Sequence, residues 1–332
     1  MLIRKFEKKF ASFLKDEREK VDKILLQILK NKKPVSLYEP ANYVIEGSGK
    51  KLRPILVLLA VKAVRGKPRT AYYAAAAVEL LHNFTLVHDD IMDNAEKRRN
   101  KSTVHKKYDI STAILVGDGL LAVAYENLLK DCKSNSKLIL KAFTKGLVEV
   151  CEGQSIDKEF ETRKDVSIQE YILMIKKKTA AMMEMCCLIG AVLGGGNGKE
   201  IKGLADFGKN IGIAFQIQDD LLDITGNEDD LGKFVGGDLV EGKKTFLFLK
   251  ALEKAKDTDR DKLLEVINNK GIKPEKIQEY KTLYTKLGVP DEAKKEILKY
   301  TKRALQSVNI LKNIKDREYY SLLSDLLIKR TK

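Results

Sequence analysis

The chain has 332 residues, 44% of them hydrophobic, and a formal net charge of +15. That length suffices for a large core in one or two domains, and no apolar run is expected to approach the roughly 18–20 residues of a membrane span, so this is not read as an integral membrane protein. Cys132, Cys151, Cys186 and Cys187 show no C-x-x-C spacing, which argues against a zinc site or disulfide framework and for a reducing, cytoplasmic setting.

Met1 to Lys20 is charged throughout, unlike a secretory signal. The basic excess leaves nucleic acid, membrane surfaces and phosphorylated substrates as partner classes. Much of it is lysine mixed with glutamate along helices, the pattern of a solvated, thermophile-like surface. Tryptophan is absent and basic residues do not interleave with aromatics, so no nucleic-acid partner is expected.

Proline is absent between Pro68 and Pro274. Proline breaks helix interiors, and the intervening sequence is rich in Ala, Leu, Lys and Glu, so a succession of long helices is predicted. Strand-like alternation is scarce, and the fold class is all-α, in one domain over 1–332. Residues 1–33 form an amphipathic helix carrying Phe6, Phe10, Phe13, Val21, Leu25 and Ile28. A break follows at Pro34–Pro40. Gly47-Ser48-Gly49 makes a flexible turn into Lys50, Lys51, Leu52, Arg53 and Pro54, with Pro54 suited to a first helical position. Lys50 and Arg53 then sit beside a helix N-terminus, where an anion is favoured. Taken alone, they also fit an ordinary basic loop.

The next helix spans Ala71 to Asp93 and ends in Asp89-Asp90-Ile91-Met92-Asp93. Further helices are expected from about Ser111 to Asp131, Ser136 to Cys151 and Ile168 to Leu193, the last closed by Gly194-Gly195-Gly196. A helix from Leu204 then ends in a twin acidic cluster, Asp219-Asp220-Leu221-Leu222-Asp223. Residues i and i+4 share a helix face, so Asp89 sits over Asp93 and Asp219 over Asp223. Each carboxylate pair repels itself and, near a helix C-terminus, opposes the macrodipole. A cation is the expected compensation, and this oxygen-only set suits Mg²⁺, which completes its shell with water and substrate phosphates. Bases follow each cluster: Arg98-Arg99 after the first, Lys233 and Lys243-Lys244 after the second.

Gly237 to Lys243 matches the G-x-x-x-x-G-K part of a nucleotide P-loop. Lys244 stands where Ser or Thr is required and no strand precedes it, so that reading is rejected. His82, His88 and His105 taken singly fit ordinary core histidines.

Together, and in order, these motifs resemble the trans-isoprenyl diphosphate synthases, or polyprenyl synthetases, and among them the archaeal-type geranylgeranyl diphosphate synthases. The motifs are G-K-x-L-R-P at Gly49–Pro54, E-L-x-H at Glu79–His82, D-D-I-M-D at Asp89–Asp93 with Arg98-Arg99, and G-Q-x-x-D at Gly153–Asp157. After them come Lys178-Thr179, F-Q-x-x-D-D-x-x-D at Phe215–Asp223, L-G-K at Leu231–Lys233 and G-K-x-T at Gly242–Thr245. The resemblance implies the isoprenoid synthase type I fold, a bundle of long helices around a central cavity, with both acidic motifs at its mouth. It implies Mg²⁺, up to three ions, on the two aspartate clusters (Asp89, Asp90, Asp93; Asp219, Asp220, Asp223). Arg98, Lys178, Lys233 and Lys243 would bind an allylic diphosphate. Lys50, Arg53, His82 and Arg99 would bind isopentenyl diphosphate. Lys178, Thr179 and Gln216 would serve the reaction centre. Members are commonly homodimers. Where the family carries G-x-P after the second arginine, this chain has Asn100-Lys101-Ser102.

In the resembled family, product length is read upstream of the first cluster. Thr85 is four residues before Asp89, Phe84 five and Leu81 eight. One aromatic at the fifth position, with a small residue at the fourth, resembles enzymes making the C20 product, geranylgeranyl diphosphate. Farnesyl diphosphate, the C15 product, is expected as intermediate or co-product. Alternatives are a farnesyl diphosphate synthase, a single-substrate terpene cyclase, a Mg²⁺-dependent nucleotide pyrophosphohydrolase, or a catalytically silent synthase subunit.

Overall fold

The computed structural model describes residues 2–47, 49–133, 135–226 and 234–328. Lys233, its neighbours Leu231 and Gly232, Ser48 and the basic tail from Lys329 lie outside the described residues.

The chain divides into two compact units. The first comprises Met1–Thr144, Met185–Ala205 and Ile310–Asp316; the second comprises Lys145–Glu184, Asp206–Asn309 and Arg317–Lys332. In chain order the helices are α1 (Leu2–Leu29), α2 (Val35–Ile45), α3 (Leu52–Ala63), α4 (Tyr72–Met92), α5 (Val104–Lys107), α6 (Ile110–Asp131), α7 (Ser136–Thr162), α8 (Ile168–Ile175), α9 (Ala181–Leu193) and α10 (Gly198–Thr225). The described chain continues with α11 (Gly237–Val240), α12 (Phe246–Lys254), α13 (Asp257–Asn269), α14 (Ile277–Lys286), α15 (Val289–Ser307) and α16 (Ile314–Ile328). Among the described residues the strands are β1 (Lys97–Arg98) and β2 (Lys101–Ser102), paired antiparallel. The all-α expectation holds.

In the first unit, α4 packs against α1, α3 and α6. Its start, Ala74-Ala75-Ala76-Ala77, is fully buried, and small side chains let neighbouring helices approach. Leu80 and Leu81 are also fully buried, each contributing about 2 kcal/mol by removing its side chain from water. At the start of α6, the Asp109 carboxylate caps Thr112 N at 2.8 Å. That hydrogen bond holds Asp109 below the usual carboxylate range.

In the second unit, α8, α10, α12, α14 and α15 bury Tyr171, Ile217, Phe246, Phe248, Tyr284 and Ile297 in one core. Ser167 and Glu170 close a capping box at the start of α8.

Several expectations need correction. The break at Pro34–Pro40 is confined to Pro34: it is extended (φ −75°, ψ 153°), and α2 runs through a buried Pro40. Pro54 is the third residue of α3, not the first, still within the turn whose N–H groups lack helical partners. The helix expected to end at Cys151 continues to Thr162, so Gly153, Gln154 and Asp157 are helical. The helix expected over 168–193 is interrupted by a π-helical turn at Lys176–Ala180. Finally, α6 is 22 residues long with a mean hydropathy of 1.3 in its most apolar window, long and apolar enough to cross a membrane by composition. Only 44% of that window is buried, so α6 presents apolar surface outward.

Candidate active site

In the first unit, Leu81, Thr85, Asp89 and Asp93 fall four residues apart along α4, so they form one slanting stripe. Asp93 is the exposed C-cap and Asp89 is half-buried. Asp90 points elsewhere. It is buried, and its Oδ1 accepts from Arg98 Nε at 2.7 Å. Burial pushes the Asp90 carboxyl up, and the neighbouring Arg98 opposes that shift. Asp90 thus anchors Arg98.

Arg98 ends β1, and the two-residue turn to β2 is Arg99-Asn100, with φ of 51° and 62°. Both angles are left-handed, the requirement of a type I′ hairpin turn, and asparagine tolerates that region better than most residues.

Arg53, in the first turn of α3, places Nη1 3.0 Å from His82 Nε2. Guanidinium only donates, so Nε2 accepts and Nδ1 carries the proton. Burial, then Arg53, Arg99 and Arg98, hold His82 well below 6.5, so the ring is neutral. Among the described residues, Arg53 Nε and His82 Nδ1 are buried donors without a hydrogen-bond partner. A Cβ on Gly49 would meet Arg99 Nη1 at 2.5 Å, so the loop backbone rests on that guanidinium. Arg53, His82, Arg98 and Arg99 therefore line the C-terminal half of α4, Arg53 at His82 in its middle and Arg98 at Asp90 near its end. Lys50 is exposed on the same loop. Lys51 is the buried one: it adopts φ 47° at the start of α3 and pairs with buried Glu79 at 3.3 Å.

In the second unit, a hydrogen-bond chain runs through the second cluster. Thr179 Oγ1 donates to Gln216 Oε1 at 2.9 Å, and Gln216 Nε2 donates to Asp220 Oδ1 at 3.2 Å. Asp220 Oδ2 also accepts from Tyr171 Oη at 2.6 Å and from Phe246 N at 3.0 Å. Burial, then nearby Asp238, push Asp220 up to about 7, opposed by those three donors. Asp223 is buried as well, and its Oδ2 accepts from Asp238 N at 3.1 Å. Asp219 is half-buried.

Within each cluster the three aspartates differ in burial and partners. Asp90, Asp220 and Asp223 are buried and serve protein donors, whereas Asp89, Asp93 and Asp219 are more exposed. Among the described residues no three acidic, His or Cys side chains converge as a closed metal cage.

Lys178 and Thr179 lie on the π-helical turn, a feature frequent at functional sites. The turn is pressed against Gly153 of α7, where any Cβ would overlap the Lys178 backbone. Lys178 Nζ donates to Asp157 Oδ2 at 2.6 Å. Lys243 pairs with Glu241 at 2.6 Å, and Lys244 is buried on the Phe160 carbonyl oxygen near the end of α7. Asp157 lies in the G-Q-x-x-D motif and Glu79 in E-L-x-H, yet neither spacing signals its lysine partner. Tyr171 carried no local signal.

Phe84 is almost fully buried, and its ring lies against His88. Thr85 is half-buried, with Oγ1 donating to the His82 carbonyl oxygen at 2.8 Å.

A sequence model of the polyprenyl synthetase family matches residues 34–286. The geranylgeranyl diphosphate synthase of Sulfolobus acidocaldarius is 40% identical, over 89% of this chain and 91% of its own. The crystal structure of geranylgeranyl pyrophosphate synthetase from Pyrococcus horikoshii Ot3 superposes with a TM-score of 0.89 at 37% identity, covering 98% of this chain and 99% of that one. A polyprenyl synthase from Caulobacter crescentus CB15, complexed with calcium and isoprenyl diphosphate, gives 0.89 at 26% identity, covering 98% of both chains.

Proposed function

The chain belongs to the polyprenyl synthetase family, with the all-α isoprenoid synthase type I fold, and is a prenyltransferase; from this we propose that it condenses isopentenyl diphosphate head to tail with dimethylallyl, geranyl and farnesyl diphosphates. The main product is geranylgeranyl diphosphate, with farnesyl diphosphate as intermediate or co-product. The family match takes segments of both compact units, which supports reading 1–332 as one synthase domain.

The Arg53–His82 pair carries this reading. Two buried donors without partners among the described residues, one on a cationic side chain, suit an anionic substrate. A single-substrate cyclase would need the acidic motifs but not Lys50, Arg53 and His82, which serve a second diphosphate. Lys50, Arg53, His82 and Arg99 hold isopentenyl diphosphate, and Arg98, Lys178 and Lys243 hold the allylic diphosphate.

Asp89, Asp93 and Asp219 are the carboxylates suited to hold Mg²⁺, which when bound neutralises the departing diphosphate. Lys178, oriented by Asp157, stabilises the same negative charge. The allylic C–O bond breaks, leaving a carbocation and pyrophosphate. The double bond of isopentenyl diphosphate attacks the cation, and a proton then leaves to the departing pyrophosphate. Thr179 and Gln216 border the reacting carbons, and apolar walls keep water from the cation. No side-chain nucleophile is required.

The chain is further read as a cytoplasmic homodimer. All four cysteines are free thiols, which supports a reducing setting. On α6, Ile110, Ile114 and Leu115 are 57%, 44% and 61% exposed, a cluster a second copy would cover.

The deciding experiment incubates the protein with Mg²⁺, labelled isopentenyl diphosphate and each primer in turn, then sizes the dephosphorylated products. A C20 alcohol from all three primers is the expected result. No elongation by folded protein would overturn the synthase reading and return the cyclase and pyrophosphohydrolase alternatives.

A further inference from the structure

Phe84 and His88 lie one helical turn apart on α4, and their rings meet edge to face. The centroids are 4.7 Å apart and the planes are inclined at 62°. His88 is itself seated. Its imidazole lies against Gly117 of α6, where any Cβ would overlap Nε2. That nitrogen is 3.4 Å from the Ile114 carbonyl oxygen and 3.9 Å from Asp118 Oδ1. Gly117 is buried within α6, where glycine weakens a helix relative to alanine. The space it leaves is filled by this one ring.

The Phe84–His88 stripe adjoins the stripe of Leu81, Thr85, Asp89 and Asp93 on the same helix. A chain growing away from Asp89 along α4 passes Thr85 and reaches the level of Phe84 within about one turn. With Phe84 read as the floor of that path, the direction of its ring sets how much length fits, and His88 is the ring that meets it.

We propose that His88, seated on Gly117, is a positioning residue for product length: it holds the Phe84 ring across the path of the growing chain. The inference rests on the reading of Phe84 as the floor of that path. His88 acts through ring packing and touches no reacting atom.

The test compares product lengths from wild type, Phe84→Ala, His88→Ala and the double variant, with farnesyl diphosphate as primer. Helical circular dichroism confirms that each variant is folded. His88→Ala is expected to raise the share of products longer than C20 by about two- to tenfold, the range an edge-to-face ring pair sets. The double variant should match Phe84→Ala, because without the Phe84 ring His88 has nothing to hold. Gly117→Ala, which displaces the imidazole from its other side, should shift length in the same direction as His88→Ala.

If Phe84→Ala lengthens the products and His88→Ala leaves them unchanged, this proposal is wrong and the floor assignment survives. A double variant making longer chains than Phe84→Ala would show that His88 acts independently of Phe84, which also overturns it. If Phe84→Ala itself fails to lengthen products, the floor assignment falls and this proposal falls with it. A general loss of rate at unchanged product length counts against the proposal, since a merely structural histidine would behave that way.

Discussion

Lys178 Nζ donates to Asp157 Oδ2 at 2.6 Å, joining the π-helical turn to the middle of α7. Both side chains are 29% exposed, so the pair is screened only in part. A lysine has three rotatable donors on a flexible stem, and one fixed carboxylate is what orients it. Asp157→Asn keeps the shape and removes the charge. We predict a loss of roughly tenfold in kcat/KM for the allylic substrate, the scale of one charged hydrogen bond. The KM for isopentenyl diphosphate should be unchanged. Steady-state kinetics with each substrate varied decides it, and an equal effect on both would refute a role confined to Lys178.

His82 supplies the pH dependence. Its folded value lies well below 6.5, because it is buried and faces Arg53, Arg99 and Arg98. The unfolded chain therefore binds a proton near pH 6.5 that the folded chain refuses. Stability is present above that pH and lost below it, at up to about 1.4 kcal/mol per pH unit from this group. We predict that His82→Gln flattens the fall in stability between pH 6.5 and 5. Denaturant titrations across that window measure it. An unaltered slope would mean the ring is charged in the fold.

The hairpin turn gives a backbone prediction. Asn100 sits at φ 62° where the resembled family carries glycine. Asn100→Gly should leave stability within about 0.5 kcal/mol of the parent, since glycine adopts this angle without steric cost. Asn100→Val should cost about 1–2 kcal/mol. It should also weaken isopentenyl diphosphate binding, because Arg99 shares the turn. Thermal unfolding and a substrate titration test the pair. Equal behaviour of Gly and Val would show that the turn is not held in this form.

The apolar face of α6 gives an assembly prediction. Leu115→Asp puts a charge in the middle of the exposed Ile110, Ile114 and Leu115 cluster. Light scattering behind size exclusion is expected to show a dimer for the parent and a monomer for the variant. A dimeric variant would move the interface to another face, and a monomeric parent would end the dimer reading.

Much of the architecture was legible before any coordinate. Helix periodicity depends on residues three and four apart, so α1, α4, α6 and α10 could be read from local pattern. The ends of α4 and α10 were marked by their acidic clusters. Where pattern misled, a distant neighbour was responsible. Gly153 reads as a helix breaker, yet α7 runs through it because the π-helical turn needs a residue without a side chain there. The stretch over 168–193 has no proline or glycine at 176–180, so the π turn was not visible locally. Nothing local marks Tyr171, whose hydroxyl donates to Asp220 from 49 residues away in sequence.

The sequence by itself determined an all-α chain carrying two acidic clusters, the bases that follow them and the upstream Phe84. These rest on residue type and short spacing, which no packing can change. Only the tertiary structure decided that Asp90 and Asp220 face protein donors while Asp89, Asp93 and Asp219 remain more accessible. It alone decided that His82 is neutral and that Lys51, rather than Lys50, is buried. The reason is physical. Burial and hydrogen-bond partners come from residues far apart in the chain, and adjacent aspartates on one helix differ by about 100° in direction.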